Sequence, residues 1–122
     1  MQNQFVWVDI PVANLDRALR FYSEVLGSEV TLQSFSGVNF GLLPHEEKNV
    51  SGCLVESDDN KPSRIGPLVY LNVDGRMDIA LSAVRENAGK VVQDSHRIGE
   101  HGYRAVIIDS EGNRVALHSA KP

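Results

Sequence analysis

Four side chains that could take part in chemistry recur at a nearly constant spacing in the two halves of the sequence. Asp9 and Tyr70 lie 61 positions apart, and Glu56 and His118 lie 62 positions apart. Each of the four falls in a strand-like run, where side chains alternate between two faces. If they converge, two carboxylates beside an imidazole have the composition of a divalent-metal site, and they could equally serve as base, acid and orienting group in proton transfer.

Three interpretations of this quartet stay open. The four groups contact a bound ligand, or they lie at the mouth of a cleft where water and backbone satisfy them, or they form a displaced metal site. The catalytic version assigns proton transfer to Asp9, Glu56 and His118, with Tyr70 as a ligand contact. Neighbouring carboxylates raise the pKa of one of them, which suits a base that works near neutral pH.

The elements that must position these residues occur in the same order twice. Residues 5–12 form a predicted strand, Asn14 caps a predicted helix that ends at Gly27, and three strand-like runs follow. After a polar connector at 58–65, a strand at 68–73, a helix that ends at Gly89 and three more runs close the chain. The apolar stripes of the two helices are Leu15, Ala18, Leu19, Tyr22, Val25 and Leu26 in the first, and Met77, Ala80, Leu81, Val84 and Ala88 in the second.

This repeat predicts an α+β fold of two β-α-β-β-β modules, about 1–57 and 66–122, within one compact domain of 122 residues. A four-stranded sheet with a helix on one face still has its other face to cover. The two modules are therefore expected to pack as a curved eight-stranded mixed sheet that encloses a cleft, where small ligands usually bind.

Composition narrows the function classes. The net charge is -4 and no Lys/Arg cluster is present, which argues against nucleic acid as a partner. The first residues resemble neither a secretory signal nor a membrane span, so a cytoplasmic protein without a membrane partner is expected.

The single cysteine, Cys53, is predicted to be a small buried hydrophobe. No G-x-G-x-x-G motif, P-loop, serine nucleophile elbow or Cys-x-x-Cys pair occurs, so nucleotide cofactors and covalent serine or cysteine catalysis are not expected.

Three segments resemble the glyoxalase, bleomycin-resistance and extradiol-dioxygenase superfamily, also called the vicinal oxygen chelate fold. FVWVDIPVANLDRALRFYSEVLG is similar to its opening strand and helix, GPLVYLNVD to its second opening strand, and DSEGNRVALHS to its D-P-D-G-N closing hairpin. The resemblance covers essentially the whole chain. It implies the fold much more specifically than the reaction, because this fold hosts isomerases, dioxygenases, lyases and binding proteins.

The resemblance also implies where a metal would be held. Metal-dependent members place His, Gln or Glu on four strands, and the matching positions here are Trp7, Leu54, Leu68 and Ala116. None of these side chains has a metal-binding donor. The usual metal site is therefore predicted to be degraded, with no cofactor, although a divalent metal at the displaced quartet stays an alternative.

Other residues have plainer expectations. Trp7, Phe40 and Tyr103 could line an aromatic floor for a planar ligand, with core packing as the alternative for Phe40. His45 and His96 are interpreted as solvated surface groups. The glycines of RIGEHGY, Gly99 and Gly102, suit either a mobile flap or an ordinary tight turn.

Three functions follow as hypotheses. The first is a glyoxalase-like protein, homodimeric as the resemblance implies, that binds a small organic molecule in the cleft. The second is a lyase or isomerase, related to lactoylglutathione lyase, that uses Asp9, Glu56 and His118. The third is a resistance protein that sequesters a cationic antibiotic in an acidic cleft.

Overall fold

The computed structural model describes residues 3–122 and contains the two predicted modules. The first comprises β1 (Trp7–Pro11), α1 (Leu15–Leu26), β2 (Thr31–Phe35), β3 (Val38–Leu42) and β4 (Ser51–Val55). The second comprises β5 (Tyr70–Asn72), α2 (Met77–Glu86), β6 (Lys90–Arg97), β7 (Tyr103–Ile108) and β8 (Arg114–Ser119), with a short 3-10 turn at Gly99–His101. The α+β class and the repeated β-α-β-β-β order are confirmed.

The eight strands form two four-stranded mixed sheets with the same topology. Their orders are β1-β4-β3-β2 and β5-β8-β7-β6, and in each sheet the first strand pairs parallel with the last while the other pairs are antiparallel. β1 and β5 are thus edge strands, and within residues 3–122 no backbone ladder joins the two sheets.

The first helix begins and ends as its sequence predicts. The Asn14 side chain accepts a hydrogen bond from the Arg17 amide, which satisfies one of the free donors of the first turn. Gly27 ends the helix in the left-handed region, with φ 68°. A side chain at Gly27 would also collide with the guanidinium of Arg76, which donates to the Val25 carbonyl and so binds the end of α1 to the second module.

One hydrophobic core is shared by both modules, because α1 and α2 pack against each other and against their sheets. Phe21, which lies outside the predicted stripe, is fully buried and meets Tyr22 edge to face at 4.9 Å between ring centroids. The second helix ends at Glu86, earlier than the predicted stop at Gly89, and Ala88 of the predicted stripe is exposed with a left-handed φ of 69°.

Neither helix of residues 3–122 has the length and apolar character that crossing a bilayer requires.

Candidate ligand cleft between the edge strands

Two cavities run along the gap between β1 and β5. The larger, about 370 Å³, is lined on one side by Val8 and Ile10 and on the other by residues 69–72. The smaller, about 250 Å³, extends past Asp9 to the start of β8. These volumes suit a small organic molecule, and each cavity is bordered by both modules. The gap and the sheet faces turned away from the helices are called the cleft below.

On the first module, three cleft residues form one hydrogen-bonded group, called the Asp9 cluster. The indole Nε1–H of Trp7 donates to Asp9 Oδ1 at 2.8 Å, and the thiol of Cys53 donates to the same oxygen at 3.3 Å. β1 and β4 pair in parallel with Asp9 opposite Cys53, which brings their side chains together on one face. Trp7 keeps 45% of its surface exposed, so its ring is available to a ligand.

The thiol of Cys53 is buried, as predicted, and is held in its protonated form. Burial raises the pKa of Cys53 to about 11, and the hydrogen bond to the Asp9 carboxylate and the negative charge of that carboxylate act in the same direction. Since the thiolate is the nucleophile and the metal ligand, Cys53 is a poor candidate for either role near neutral pH.

We expect the native protein to react with iodoacetamide at pH 8 at least tenfold more slowly than the urea-unfolded chain, because little thiolate is present at that pH. Asp9→Asn should accelerate native labelling several-fold, since it removes the charge that helps to keep the thiol protonated. Asp59→Asn, an exposed change in the connector, is the matched control. Equal rates in the native and unfolded chains, measured by mass spectrometry, would contradict this account.

Leu54 and Glu56 do not face the cleft, so the predicted convergence of Asp9, Glu56 and His118 is wrong. Leu54 is fully buried against the helices as part of the core. Glu56 lies just beyond the end of β4, and its carboxylate accepts a hydrogen bond of 2.9 Å from the Leu15 amide at the start of α1. Glu56 thus stabilises a helix N-terminus, where a negative charge is favourable.

The cause is a shift of one residue between the two modules. Asp9 pairs with Cys53, and its repeat partner Tyr70 pairs with Ala116, so the last strands correspond at an offset of 63 positions rather than 62. A shift of one residue moves every side chain of a strand to the opposite face. Cys53, not Leu54, therefore occupies the fourth position at which the family resemblance places a metal ligand.

The second module brings a different polar group to the cleft, called the Arg104 cluster. Nη1 of Arg104 donates to the Tyr70 hydroxyl at 2.6 Å, and its Nε donates to His96 Nε2 at 3.2 Å. The guanidinium also lies over the Tyr70 ring, 6.0 Å from the centroid. His96 is thus half-buried and engaged, not the solvated surface group that the sequence predicted.

His118 does face the cleft side of β8, beside Arg104 in the cross-strand register. Its Nε2 lies 2.6 Å from the His101 carbonyl, to which it donates. This bond secures the glycine-containing turn onto β8, and the Ile98 amide also bonds to the Gly102 carbonyl at 2.8 Å. Of the two expectations for this segment, the hydrogen bonds favour the tight turn.

Of the three residues of the predicted aromatic floor, Tyr103 lies on a different face from Trp7 and Phe40. Phe40 pairs with Val55 and so shares the face of Trp7 and Cys53. Tyr103 lies on the helix side of β7, where it packs partly buried against the core.

His45 is exposed, as predicted, and its Nδ1 contacts the Leu43 carbonyl.

The four positions at which the resemblance places metal ligands carry Trp7, Cys53, Leu68 and Ala116. The side chains of Leu68 and Ala116 have no lone pairs that could bind a metal. The indole Nε1–H of Trp7 can only donate a hydrogen bond, and it already donates to Asp9. Cys53 alone has a potential ligand atom, and its raised pKa keeps the proton on it. Within residues 3–122, no three His, Cys, Asp or Glu side chains are grouped closely enough to hold a metal.

Comparisons with known proteins agree with this architecture. A sequence profile of the Glyoxalase/Bleomycin resistance protein/Dioxygenase superfamily matches residues 4–117. No curated protein matches the chain. The chain therefore belongs to the Glyoxalase/Bleomycin resistance protein/Dioxygenase superfamily.

Several solved structures share the fold at low sequence identity. A glyoxalase/bleomycin resistance protein from Albidiferax ferrireducens T118 superposes with a TM-score of 0.73 at 15% identity, over 96% of this chain and 98% of that one. A glyoxalase/bleomycin resistance protein/dioxygenase family enzyme from Burkholderia phytofirmans PsJN gives 0.70 at 17%, over 93% and 96%. An E144Q glyoxalase I mutant from Zea mays gives 0.70 at 18%, over 94% of this chain and 46% of that one.

Proposed function

We propose that this chain binds a small organic molecule in the cleft between β1 and β5 and holds it with side chains rather than with a divalent metal. The observation that carries the proposal is the set of residues at the four ligand positions, which are Trp7, Cys53, Leu68 and Ala116. An indole, a protonated thiol and two alkyl groups favour contact with an apolar or aromatic ligand over metal coordination.

The cavity supports the same proposal. It is lined mostly by apolar residues of both modules and by a few polar ones, Ser51, Tyr70 and Asn72, which is the usual composition of a small-molecule site. The half-exposed ring of Trp7 offers a stacking surface beside the Asp9 carboxylate. The proposal includes a cytoplasmic homodimer, the cytoplasm being a compartment in which the free thiol of Cys53 stays reduced.

Neither alternative gains support from the geometry. A lyase or isomerase that uses Asp9, Glu56 and His118 would need these groups together, but Glu56 lies on the opposite side of its sheet at the start of α1. A cleft for a cationic antibiotic would need a net negative lining. Arg104 instead brings a positive charge to the cleft face of the second module.

Trp7 is the only tryptophan of the chain and lies on the cleft face of β1, so its fluorescence reports on that face. We expect benzamide and phenol to change Trp7 emission saturably at millimolar concentrations. Nickel, zinc, iron and manganese ions should leave the melting temperature within about 1 °C, because no donor set is present to bind them.

Two results would overturn the proposal. One equivalent of transition metal in protein purified without chelators or a metal-affinity tag, measured by elemental mass spectrometry, would restore metal-dependent chemistry. Failure of every aromatic probe to change Trp7 emission would contradict the proposal that the cleft binds small molecules. Turnover of a hemithioacetal or epoxide without added metal, lost in Asp9→Asn, would instead favour the lyase or isomerase.

A further inference from the structure

We propose that Arg104 is the receptor for a carboxylate of the bound molecule, so that the ligand is an anionic, carboxylate-bearing aromatic compound. This inference rests on the proposed function, because it names the chemical class of the molecule that the cleft binds. It is carried by the contacts, the charge and the surroundings of the Arg104 cluster.

The guanidinium is held in place by two neutral acceptors. Because Nε of Arg104 can only donate, His96 Nε2 must accept, and the ring is therefore neutral with its proton on Nδ1. That Nδ1 lies 3.0 Å from the Asp94 carbonyl, which takes the proton in a hydrogen bond. The chain from Asp94 through His96 to Arg104 thus orients the cation without neutralising it.

The positive charge of Arg104 has no counter-ion in the described part of the chain. The ion pairs within residues 3–122 join Arg17 to Glu111, Lys61 to Asp58 and Arg85 to Asp94, and none involves Arg104. Arg104 is only partly exposed. A partly desolvated cation without a partner is costly, and a carboxylate supplied by a ligand would compensate for it.

The small side chain of Ala116 leaves room for this arrangement. Ala116 stands where the family resemblance places a metal-binding glutamate, directly beside Tyr70 and diagonally across from Arg104 in the sheet register. With only a methyl group there, the Tyr70 side chain reaches over β8 to Arg104. A glutamate at 116 would place an internal carboxylate next to the guanidinium and occupy the position that we assign to the ligand.

Donors remain for the ligand after these contacts. Arginine has five N–H donors in a planar fork, and Tyr70 and His96 occupy one each. The fork matches the two oxygens of a carboxylate, and such charge-assisted bonds are about twice as strong as neutral ones. Arg104 lies on β7, separated from β5 by β8, so a ligand whose carboxylate binds Arg104 would lie on the cleft face of the second sheet, beside the ring of Tyr70.

The test compares benzoate with its neutral analogue benzamide at constant ionic strength. Nitrogen-15 spectra of the arginine Nε–H groups report on Arg104 itself, and Trp7 fluorescence reports on the cleft. We expect benzoate to shift the Arg104 signal and to bind at least tenfold more tightly than benzamide. Arg104→Gln should remove this preference, Arg104→Lys should retain only part of it, and Arg20→Gln, an exposed change on α1, should bind like the parent protein.

The outcomes separate this inference from the proposed function. Equal binding of benzoate and benzamide, or an unchanged benzoate preference in a folded Arg104→Gln variant, would overturn the carboxylate receptor and leave the binding cleft standing. Tighter binding of benzylamine than of benzoate would overturn it in favour of a cationic ligand. If neither compound changes the Arg104 or Trp7 signals, the receptor and the cleft fail together.

Discussion

Replacing Asp109 with Ala is expected to destabilise the protein by about 4 kcal/mol, because several buried donors lose one shared acceptor. Asp109 is 2% exposed and lies in the turn between β7 and β8. Its carboxylate accepts hydrogen bonds from the Tyr22 hydroxyl, from the amides of Glu111 and Asn113, and from Asn113 Nδ2. The sequence predicted only a hairpin turn here, but the turn also anchors the first helix.

Tyr22 shows how this anchor joins the modules. Its hydroxyl is fully buried and donates to Asp109 at 2.5 Å, and burial, followed by the negative charge of Asp109, raises its pKa well above the ordinary value. Asn113 continues the connection by donating from Nδ2 to the Pro11 carbonyl at 2.7 Å. Loss of Asp109 would therefore weaken the junction between β1, α1 and the closing hairpin.

Urea unfolding at pH 7 measures the effect of Asp109→Ala. Tyr22→Phe removes one of the four donors and should cost about 2 kcal/mol, roughly half as much. Asp58→Ala, in the exposed connector, is the matched carboxylate control and should stay within about 0.5 kcal/mol of the parent protein. A loss in Asp109→Ala no larger than in Asp58→Ala would show that the buried network does not stabilise the fold.

The fold was predictable because several local signals agree at each element. Asn14 and Gly27 delimit α1, and alternating apolar residues define the strands, so the repeat of strand, helix and three strands was visible from pattern alone. Phe21 was missed because it lies beside Tyr22, at the margin of a stripe drawn with helical period. Tertiary packing buries it nonetheless, between α1 and the start of β6, where its ring would meet a side chain at Gly89.

The site was less predictable because the two modules are not exact copies. The equivalent residues are 61 apart in the first strands, as in Asp9 and Tyr70, but 63 apart in the last strands, as in Cys53 and Ala116. Loops absorb the extra residues without changing the fold, and sequence pattern alone does not locate them. A shift of one residue turns every side chain of a strand to the opposite face. The predicted offset of 62 was one residue too short, so it assigned the cleft position of Cys53 to Leu54 and placed Glu56 on the wrong face.

Arg104 was missed for a different reason. The run YRAVII was correctly predicted as a strand, but its one charged residue was not considered as part of a site. The available signal was an arginine alternating with Val106 and Ile108 on the face that His118 also occupies. Its partner His96 lies on β6, whose pairing with β7 contains two register shifts. The alternation of side chains along a regular strand does not predict such shifts.

Glu111→Gln is expected to cost about 3 kcal/mol at pH 7, since it breaks the largest polar connection between the modules. The buried Glu111 carboxylate binds Nε and Nη2 of Arg17 at 2.7 and 2.9 Å, and it accepts from the Ala13 and Asn14 amides ahead of α1. A glutamine keeps one acceptor oxygen but removes the charge. The cost should lie at the lower end for a buried ion pair, because Arg17 remains partly exposed.

The pH dependence distinguishes the charge from the shape of this side chain. Burial acts to raise the pKa of Glu111, but the hydrogen bonds from Arg17, Asn14, Ser110 and Ala13 outweigh it and leave the pKa below its ordinary 4.5. Because the folded pKa is the lower one, the unfolded chain takes up the proton first as the pH falls. The stabilisation is thus complete above about pH 4.5 and is lost as the pH falls through the folded pKa.

Urea unfolding of the parent protein and of Glu111→Gln at pH 7, 5, 4 and 3 measures this dependence. The difference between the two should be largest at pH 7 and should shrink steadily below pH 4.5, because protonated Glu111 and glutamine are both neutral. Glu24→Gln, an exposed change on the same helix α1, should show no such convergence. A difference that stays constant down to pH 3 would mean that Glu111 stabilises the junction through packing and neutral hydrogen bonds, and that its charge on Arg17 and the helix start contributes nothing.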